Sequence, residues 1–202
     1  MSCDDKIVIG ITGMPAAGKS TAAEHLRAQS CAVVVMGDLI RMEAKRRGIE
    51  PTAQGLGKLM FQLREEGGPQ VVARWAIEAV KREKEPVVVV DGIRSPDEVV
   101  AFRQAFPHFW LLAIDTPHMV RFRRTLGRGR SDDVGGIEAF LERERNEIEV
   151  GTPAAIQMAD KIIEGESEEL ERNVKEFLKE VLRESSTQRR SKGLPHRRLR
   201  ES

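Results

Sequence analysis

The sequence predicts an α/β fold in three layers, a five-stranded parallel sheet flanked by helices. Three observations carry that expectation. Short, continuously apolar runs recur at residues 7–11, 32–36, 87–91, 109–114 and 161–163. The stretches between them repeat apolar residues at helical spacing. A glycine-rich loop joins the first run to a helix-compatible segment. Runs this evenly apolar suit strands covered on both faces, as in a parallel sheet whose crossovers are helices.

The first run, Ile7, Val8, Ile9, Gly10 and Ile11, leads into Gly13, Met14, Pro15, Ala16, Ala17, Gly18, Lys19, Ser20 and Thr21. The spacing of Gly13, Gly18, Lys19 and Ser20 has a physical reason. The two glycines let the backbone curl so that successive N–H groups point at one anionic centre. A helix starting near Gly18 adds the positive end of its dipole. Lys19 then reaches the β- and γ-phosphates, and the Ser20 hydroxyl ligates Mg²⁺. A glycine-rich turn that binds nothing is the competing reading. The flanks speak against it, with a buried-type strand before and Ala22, Ala23, Glu24, His25 and Leu26 after. Residues 13–21 are therefore expected to hold ATP with Mg²⁺, and the fold to be that of a three-layer P-loop NTPase.

The remaining elements follow in order. Residues 38–85 hold about three helices and no strand, more than a crossover needs, and read as a helical insertion that binds the acceptor. Within it Leu56, Leu59, Met60 and Leu63 share one helical face, as do Val72, Trp75, Ala76, Ala79 and Val80. Ser95, Pro96, Asp97 and Glu98 combine an N-cap serine, a proline at the first helical position and an acidic first turn. Residues 121–136, rich in arginine and glycine, read as a short mobile lid. Leu170, Val174, Phe177, Leu178, Val181 and Leu182 mark a last amphipathic helix. Residues 185–202, with Arg189, Arg190, Lys192, Arg197, Arg198 and Arg200 and little apolar content, are expected to be a disordered basic tail. Residues 1–184 thus read as one domain.

Composition narrows the partners. A chain of 202 residues with 40% apolar content supports one core, built from aliphatic residues because aromatics are only 4% and tyrosine is absent. A net charge of +1 does not advertise nucleic acid, which leaves the basic tail as the one candidate contact for it. Cys3 and Cys31, with His25, His108, His118 and His196 scattered, form no metal-binding spacing. No apolar run is long enough to span a bilayer and residues 1–7 carry no signal-peptide pattern, so a cytoplasmic protein without membrane contact is expected.

Four constellations bear on the reaction. Arg41, one helical turn beyond the second strand, and Arg94, just beyond the third, lie where ligands gather in open parallel sheets. Two arginines there can grip an acceptor phosphate bidentately. The alternatives are a solvated helix residue for Arg41 and a structural ion pair for Arg94. Asp91 is read as a Mg²⁺ partner facing the loop, or as a cap of the following turn. Asp38 either takes the proton of an acceptor hydroxyl or caps a helix starting at Leu39. In the lid, Arg128 and Arg130 are the candidates to stabilise charge on the transferring phosphoryl group. Arg121 is read as a neighbour of the base or phosphates and Arg123 as solvated. Asp132 and Asp133 are candidates to anchor the lid to Arg143 or Arg145. A merely solvated charged face is the competing reading of this segment.

The order of these motifs is similar to that of the adenylate kinase and dephospho-coenzyme A kinase branch of nucleotide kinases. It comprises the loop, Gly37–Arg41 written Gly-Asp-Leu-Ile-Arg, Asp-Gly-Ile-Arg at 91–94, and an arginine lid with two aspartates. More closely, residues 6–184 resemble an uncharacterised archaeal family related to those kinases, which shows the same loop and the Met-Gly-Asp, Asp-Gly-Ile-Arg-Ser and Gly-Arg-Ser-Asp-Asp segments. The resemblance implies that Arg41 and Arg94 hold the acceptor's phosphate and that Asp38 acts as the base. Adenylate kinases carry an aromatic and a proline within the segment matching 91–94; both are absent here and the lid is short, which argues against AMP. The expected function is transfer of the γ-phosphate of ATP·Mg to a small phosphate-bearing acceptor, a nucleoside monophosphate or a molecule like dephospho-coenzyme A. The alternative is a slow ATPase that gates binding or assembly of RNA or protein.

Overall fold

Strand β1 (Ile7–Thr12) is buried at every residue, and burying both of its backbone edges requires a strand on each side. It pairs in parallel with β3 (Val87–Ile93) and β4 (His108–Asp115). Strand β2 (Ala32–Val35) extends the sheet beyond β3, and β5 (Lys161–Glu164) beyond β4, giving the order β2-β3-β1-β4-β5 with every pairing parallel. The computed structural model describes residues 5–128, 136–166 and 168–192.

Successive side chains of a strand leave on opposite faces, and the core divides accordingly. Val8, Val88, Val90 and Leu111 pack one face against α2 (Met36–Arg46), α3 (Ala53–Gly67), α4 (Val71–Arg82) and α5 (Pro96–Ala105). Ile7, Ile9, Ile11, Val87 and Val89 pack the other against α1 (Lys19–Arg27) and α9 (Leu170–Lys192). Helices α2 to α4 fill the β2–β3 crossover. Ser95 caps α5, its hydroxyl accepting from the Glu98 amide at 3.2 Å, with Pro96 at the first helical position. Helices α6 (His118–Arg128), α7 (Gly136–Val150) and α8 (Thr152–Gln157) lie between β4 and β5. Among the described residues no helix is long and apolar enough to cross a membrane.

Of the expected 121–136 lid, residues 121–128 belong to α6, and 129–135 lie outside the described residues. The expected start of the tail is corrected. Disorder does not begin at Ser185. Helix α9 continues to Lys192 because Ser185 falls on the stripe of Val174, Leu178 and Val181 and is itself buried. Ser186 and Thr187 donate their hydroxyls back to the Leu182 and Arg183 carbonyls at 2.7 and 3.1 Å. Residues 193–202, with Arg197, Arg198 and Arg200, lie outside the described residues.

Phe102 ties α5 to the sheet. It is fully buried, its ring 6.4 Å from that of Phe106 and 5.6 Å from that of Phe109. Phe102→Ala should destabilise the fold by about 3–5 kcal/mol, read as a lower denaturant midpoint with an unchanged slope.

Candidate functional site

The phosphate loop leaves β1 at Gly13, whose φ of +145° and close backing demand glycine: an added Cβ would lie 2.4 Å from the Ile114 carbonyl oxygen. Gly18, at φ 111°, turns the chain into α1. The loop's shape is held from behind. Thr116 Oγ1 donates to the Ala17 carbonyl at 2.7 Å. Arg124 donates to the same oxygen at 3.2 Å, to Ala16 O at 3.4 Å and to Gly165 O at 2.8 Å. Arg121 reaches Pro15 O at 3.4 Å. In a planar trans peptide the N–H points away from its C=O. Tethering the Pro15 and Ala17 carbonyls at the rear therefore turns the Ala16 and Gly18 amides to the front, an anion cradle continuous with the start of α1.

Lys19 lies along this cradle, Nζ 2.6 Å from Gly13 O and 3.0 Å from Met14 O. Burial lowers its pKa to about 8, against the opposing pull of Glu147 and Asp91. Ser20 donates its hydroxyl to Asp91 Oδ2 at 3.1 Å. Asp91 is buried within β3, and its other oxygen, Oδ1, has no partner among the described residues; neither has the buried Thr12 Oγ1. A hydroxyl, a carboxylate and orphaned oxygens beside an anion cradle fit Mg²⁺, a hard cation that takes oxygen ligands and keeps much of its water.

The side of the cleft facing the loop is built by α2, the end of β3 and α7. Arg41 pairs with Asp38 at 2.7 Å, one turn apart on α2, with both side chains exposed (41% and 62%). The capping alternative for Asp38 is corrected: α2 starts at Met36 after Val35, which places Asp38 inside the first turn. Arg94 is fixed on three sides. Its amide donates to Glu98 Oε2 at 2.8 Å, its Nη1 lies 3.3 Å from Met60 Sδ, and its Nε lies 3.4 Å from Glu147 Oε1. Glu98 is buried, and burial raises its pKa despite the partner Arg64 at 2.7 Å. Burial also pushes the Glu147 carboxyl upward, but Arg94, Lys19, the Thr152 hydroxyl and Arg143 together hold it below its usual range.

The structure brings Lys19, Ser20, Asp38, Arg41, Asp91 and Arg94 to one cleft of about 410 Å³, which Arg143 and Glu147 of α7 complete. A side pocket of about 70 Å³, floored by Ile40, Leu56 and Met60, opens from it past Arg41, Arg94, Arg143 and Glu147. Arg121 backs the phosphate loop and does not line the cleft: it is buried against Glu144 and over the Phe140 ring. Arg128 ends α6, and its side chain, like all of Arg130, Asp132 and Asp133, lies outside the described residues. Glu147 is an addition to the residues singled out in the sequence; Arg143, named there as a lid anchor, lines the cleft, and Arg124 of the arginine-rich segment braces the loop from behind. The signal for Glu147 was its register: Phe140, Glu144 and Glu147 share the buried face of α7, where carboxylates are out of place unless paired.

The comparisons bear on this geometry. A family model described as an AAA domain matches residues 12–140. A UPF0200 protein of Thermococcus onnurineus (strain NA1) is 40% identical over 184 residues, spanning 88% of this chain and 100% of that protein. Shikimate kinase from Acinetobacter baumannii, solved in complex with shikimate, superposes with a TM-score of 0.58 at 16% identity, covering 90% of this chain and 96% of its own. TT1252 from Thermus thermophilus superposes at 0.59 with 22% identity, covering 89% and 97%. The architecture is thus that of the P-loop kinases.

The lowered Lys19 pKa gives a signed expectation. An anion binds the protonated ammonium, so affinity for a nucleoside triphosphate is full below pH 8 and falls as pH rises through about 8. The dissociation constant of a non-hydrolysable ATP analogue should rise by up to about tenfold per pH unit above that point. The weaker-binding Lys19→Ala variant should show no such rise.

Proposed function

We propose that this chain, which belongs to the UPF0200 family of archaeal proteins, is a phosphotransferase that moves the γ-phosphate of ATP to a small phosphate-bearing acceptor. The observation that carries the reading is the convergence of two separable sets of groups on one cleft. One set suits a triphosphate: the Ala16 and Gly18 amides, Lys19, Ser20 and Asp91. The other suits an anionic acceptor: Arg41 and Arg94 at the mouth of the side pocket. A hydrolase needs only the first set. The acceptor is of the nucleoside monophosphate or dephospho-coenzyme A type, and the reaction is placed in the cytoplasm, with nucleic acid contacted, if at all, through the basic tail.

Residues 13–21 hold the triphosphate, and Lys19 neutralises its β- and γ-oxygens. Ser20 and Asp91 hold Mg²⁺, which when bound offsets the charge that develops on those oxygens. Arg41 leaves its exposed pair with Asp38 to meet the acceptor anion, a small loss because such surface pairs contribute about 0–1 kcal/mol. The Arg94 guanidinium is already aimed by Met60 and Glu147, so little rotamer freedom is lost on binding. Arg128 and Arg130, at and beyond the end of α6, are assigned the charge on the transferring group. The shikimate kinase fold supports a small-molecule acceptor as a class and does not extend to its identity.

The test is an ATP·Mg assay against nucleoside monophosphates and dephospho-coenzyme A, reading phosphorylated product directly. No product from any of them would remove the reading for these acceptors. In a productive assay Lys19→Ala should abolish turnover, whereas Arg94→Ala should raise the acceptor KM by about 10-fold or more, as loss of a charge-assisted contact of about 1.5–3 kcal/mol requires. Equal loss of ATP affinity in both variants would contradict the division into donor and acceptor groups.

A further inference from the structure

Four carboxylates border the transfer cleft, and their surroundings differ: Glu24 is exposed and paired with Arg27 on its own helix. Asp91 is turned to Ser20 and belongs with the metal-binding oxygens. Asp38 is mostly exposed and tied to Arg41 on its own helix. Glu147 alone sits between the two chambers. Its side chain is 8% exposed, it lines both the main cleft and the side pocket, and it faces Lys19 on the donor side and Arg94 on the acceptor side. One of its oxygens accepts from the Thr152 hydroxyl at 2.9 Å and the other lies 3.4 Å from Arg94. A carboxylate has about four lone-pair positions, so acceptor capacity remains toward the cleft.

A buried carboxylate at that junction discriminates between attacking groups. It repels an incoming phosphate oxygen, since like charges in a poorly solvated site are costly. It attracts a hydroxyl, which donates a hydrogen bond to it. We propose that Glu147 is the catalytic residue that receives the acceptor's attacking hydroxyl, and that the acceptor is a small alcohol whose own anionic group is held by Arg41 and Arg94. This rests on the phosphotransferase reading and narrows it, because transfer onto a nucleotide's phosphate is excluded.

The step balances without a further reactant. The hydroxyl oxygen forms a bond to the γ-phosphorus while the bond from that phosphorus to the bridging oxygen breaks. ADP leaves with the electron pair, and the hydroxyl proton passes to Glu147 Oε1, the oxygen that Arg94 yields as it turns to the acceptor anion, and then to solvent. The substrates themselves prepare the base. Lys19 and Arg94, which stabilise the ionised Glu147 in the unliganded chain, are drawn to the triphosphate and the acceptor anion, and the carboxylate's proton affinity rises accordingly. The side pocket, of about 70 Å³ with an aliphatic floor and the Asn146 amide on its wall, accommodates the acceptor's carbon skeleton.

The experiment compares wild type, Glu147→Gln, Asp38→Asn and Thr152→Val, each checked for its melting temperature and for binding of a non-hydrolysable ATP analogue. The probes are ATP·Mg with ribose 5-phosphate, glycerol 3-phosphate and dephospho-coenzyme A as hydroxyl acceptors, with nucleoside monophosphates as phosphate acceptors, and with water alone. The expected result is phosphorylation of a hydroxyl, with kcat lower by about 100-fold in Glu147→Gln, the size of a general-base effect. ATP-analogue affinity and the acceptor KM should change less than threefold, and Asp38→Asn should lose far less in kcat. Thr152→Val removes the bond to Glu147 without removing the carboxylate, so a purely structural role would make its kcat loss track Glu147→Gln. That result would overturn the proposal. Conversion of an added nucleoside monophosphate to its diphosphate, beyond the ADP that every transfer releases, or a Glu147→Gln kcat equal to wild type, would overturn it while leaving the kinase reading standing. If only water is phosphorylated, Glu147→Gln must still slow ATP hydrolysis by a similar factor, and an unchanged rate sinks the proposal. Absence of any ATP turnover removes the phosphotransferase reading and the inference with it.

Discussion

The site depends on how the carbonyl oxygens of the phosphate loop are occupied. A loop that offers its amides to an anion must place its carbonyls somewhere, and buried carbonyls without donors cost about 1–3 kcal/mol each. Here α6 and the start of its loop supply those donors: Thr116 for Ala17, Arg121 for Pro15, and Arg124 for Ala16, Ala17 and Gly165. Arg121 is buried and in turn needs a counter-ion, which Glu144 provides from α7. His118 shares that carboxylate at 2.8 Å. One consequence reaches across the cleft. Glu147, one turn beyond Glu144 on the same helix, is carried to the junction of the cleft and its side pocket because Glu144 fixes the helix against Arg121. The rear support of the loop and the placement of the carboxylate in front of it are one constraint.

The charges in the cleft are arranged so that no buried group stands alone. Removing one partner of a buried pair costs far more than the pair contributes, because the remaining charge is left in a poor solvent. Glu98 pairs with Arg64 and receives the Arg94 amide; Arg94 pairs with Glu147; Glu147 also receives the Thr152 hydroxyl. The chain of contacts runs from α3 through the end of β3 to α7 and α8, and its members have few alternative partners. Arg41 and Asp38 differ: their pair is exposed and of low value, so Arg41 can exchange it for a ligand. The two arginines of the cleft therefore differ: Arg94 is held by buried partners and Arg41 by an exposed one.

Most of the fold was legible in the sequence because its signals are local. The valines preceding Asp91 and the isoleucines of 7–11 announce buried strands; Gly13, Gly18, Lys19 and Ser20 announce the loop; Ser95 and Pro96 announce α5. The contributions of α7 were not legible in the same way. Glu144 and Glu147 read as solvated charges in an acidic helix until Arg121, 23 residues from Glu144 in sequence, and Arg94 are brought against them. Arg121 was misplaced for the same reason, since its burial depends on Phe140 and Glu144. The tail was misjudged on composition: the cations of 189–192 obscured the continuation of the α9 stripe to Ser185. Asp38 was read one helical turn out of place because Met36 and Gly37, an extension of a valine run, already belong to α2.

Topology explains why these contributions meet at one place. Helix α1, which follows β1, packs on one face of the sheet with α9, whereas α5, which follows β3, packs on the opposite face. Two neighbouring strands whose connections depart to opposite sides leave a crevice at their carboxyl ends, where ligands of open α/β sheets collect. Thr12 ends β1 and Asp91 to Ile93 end β3 beside that crevice, with Thr12 and Ile93 in register. The orphaned Thr12 and Asp91 oxygens therefore lie where the sheet itself cannot supply donors. Helix α2 follows directly from β2 beyond β3 and brings Arg41 to the crevice, whereas α6 follows β4 on the other side of β1 and braces the loop from behind with Arg121 and Arg124. A loop that merely held a nucleotide would be complete with β1, α1 and Asp91. The additional groups, Arg41, Arg94, Arg143 and Glu147, converge on the front of the loop, and it is on them that the proposed transfer rests.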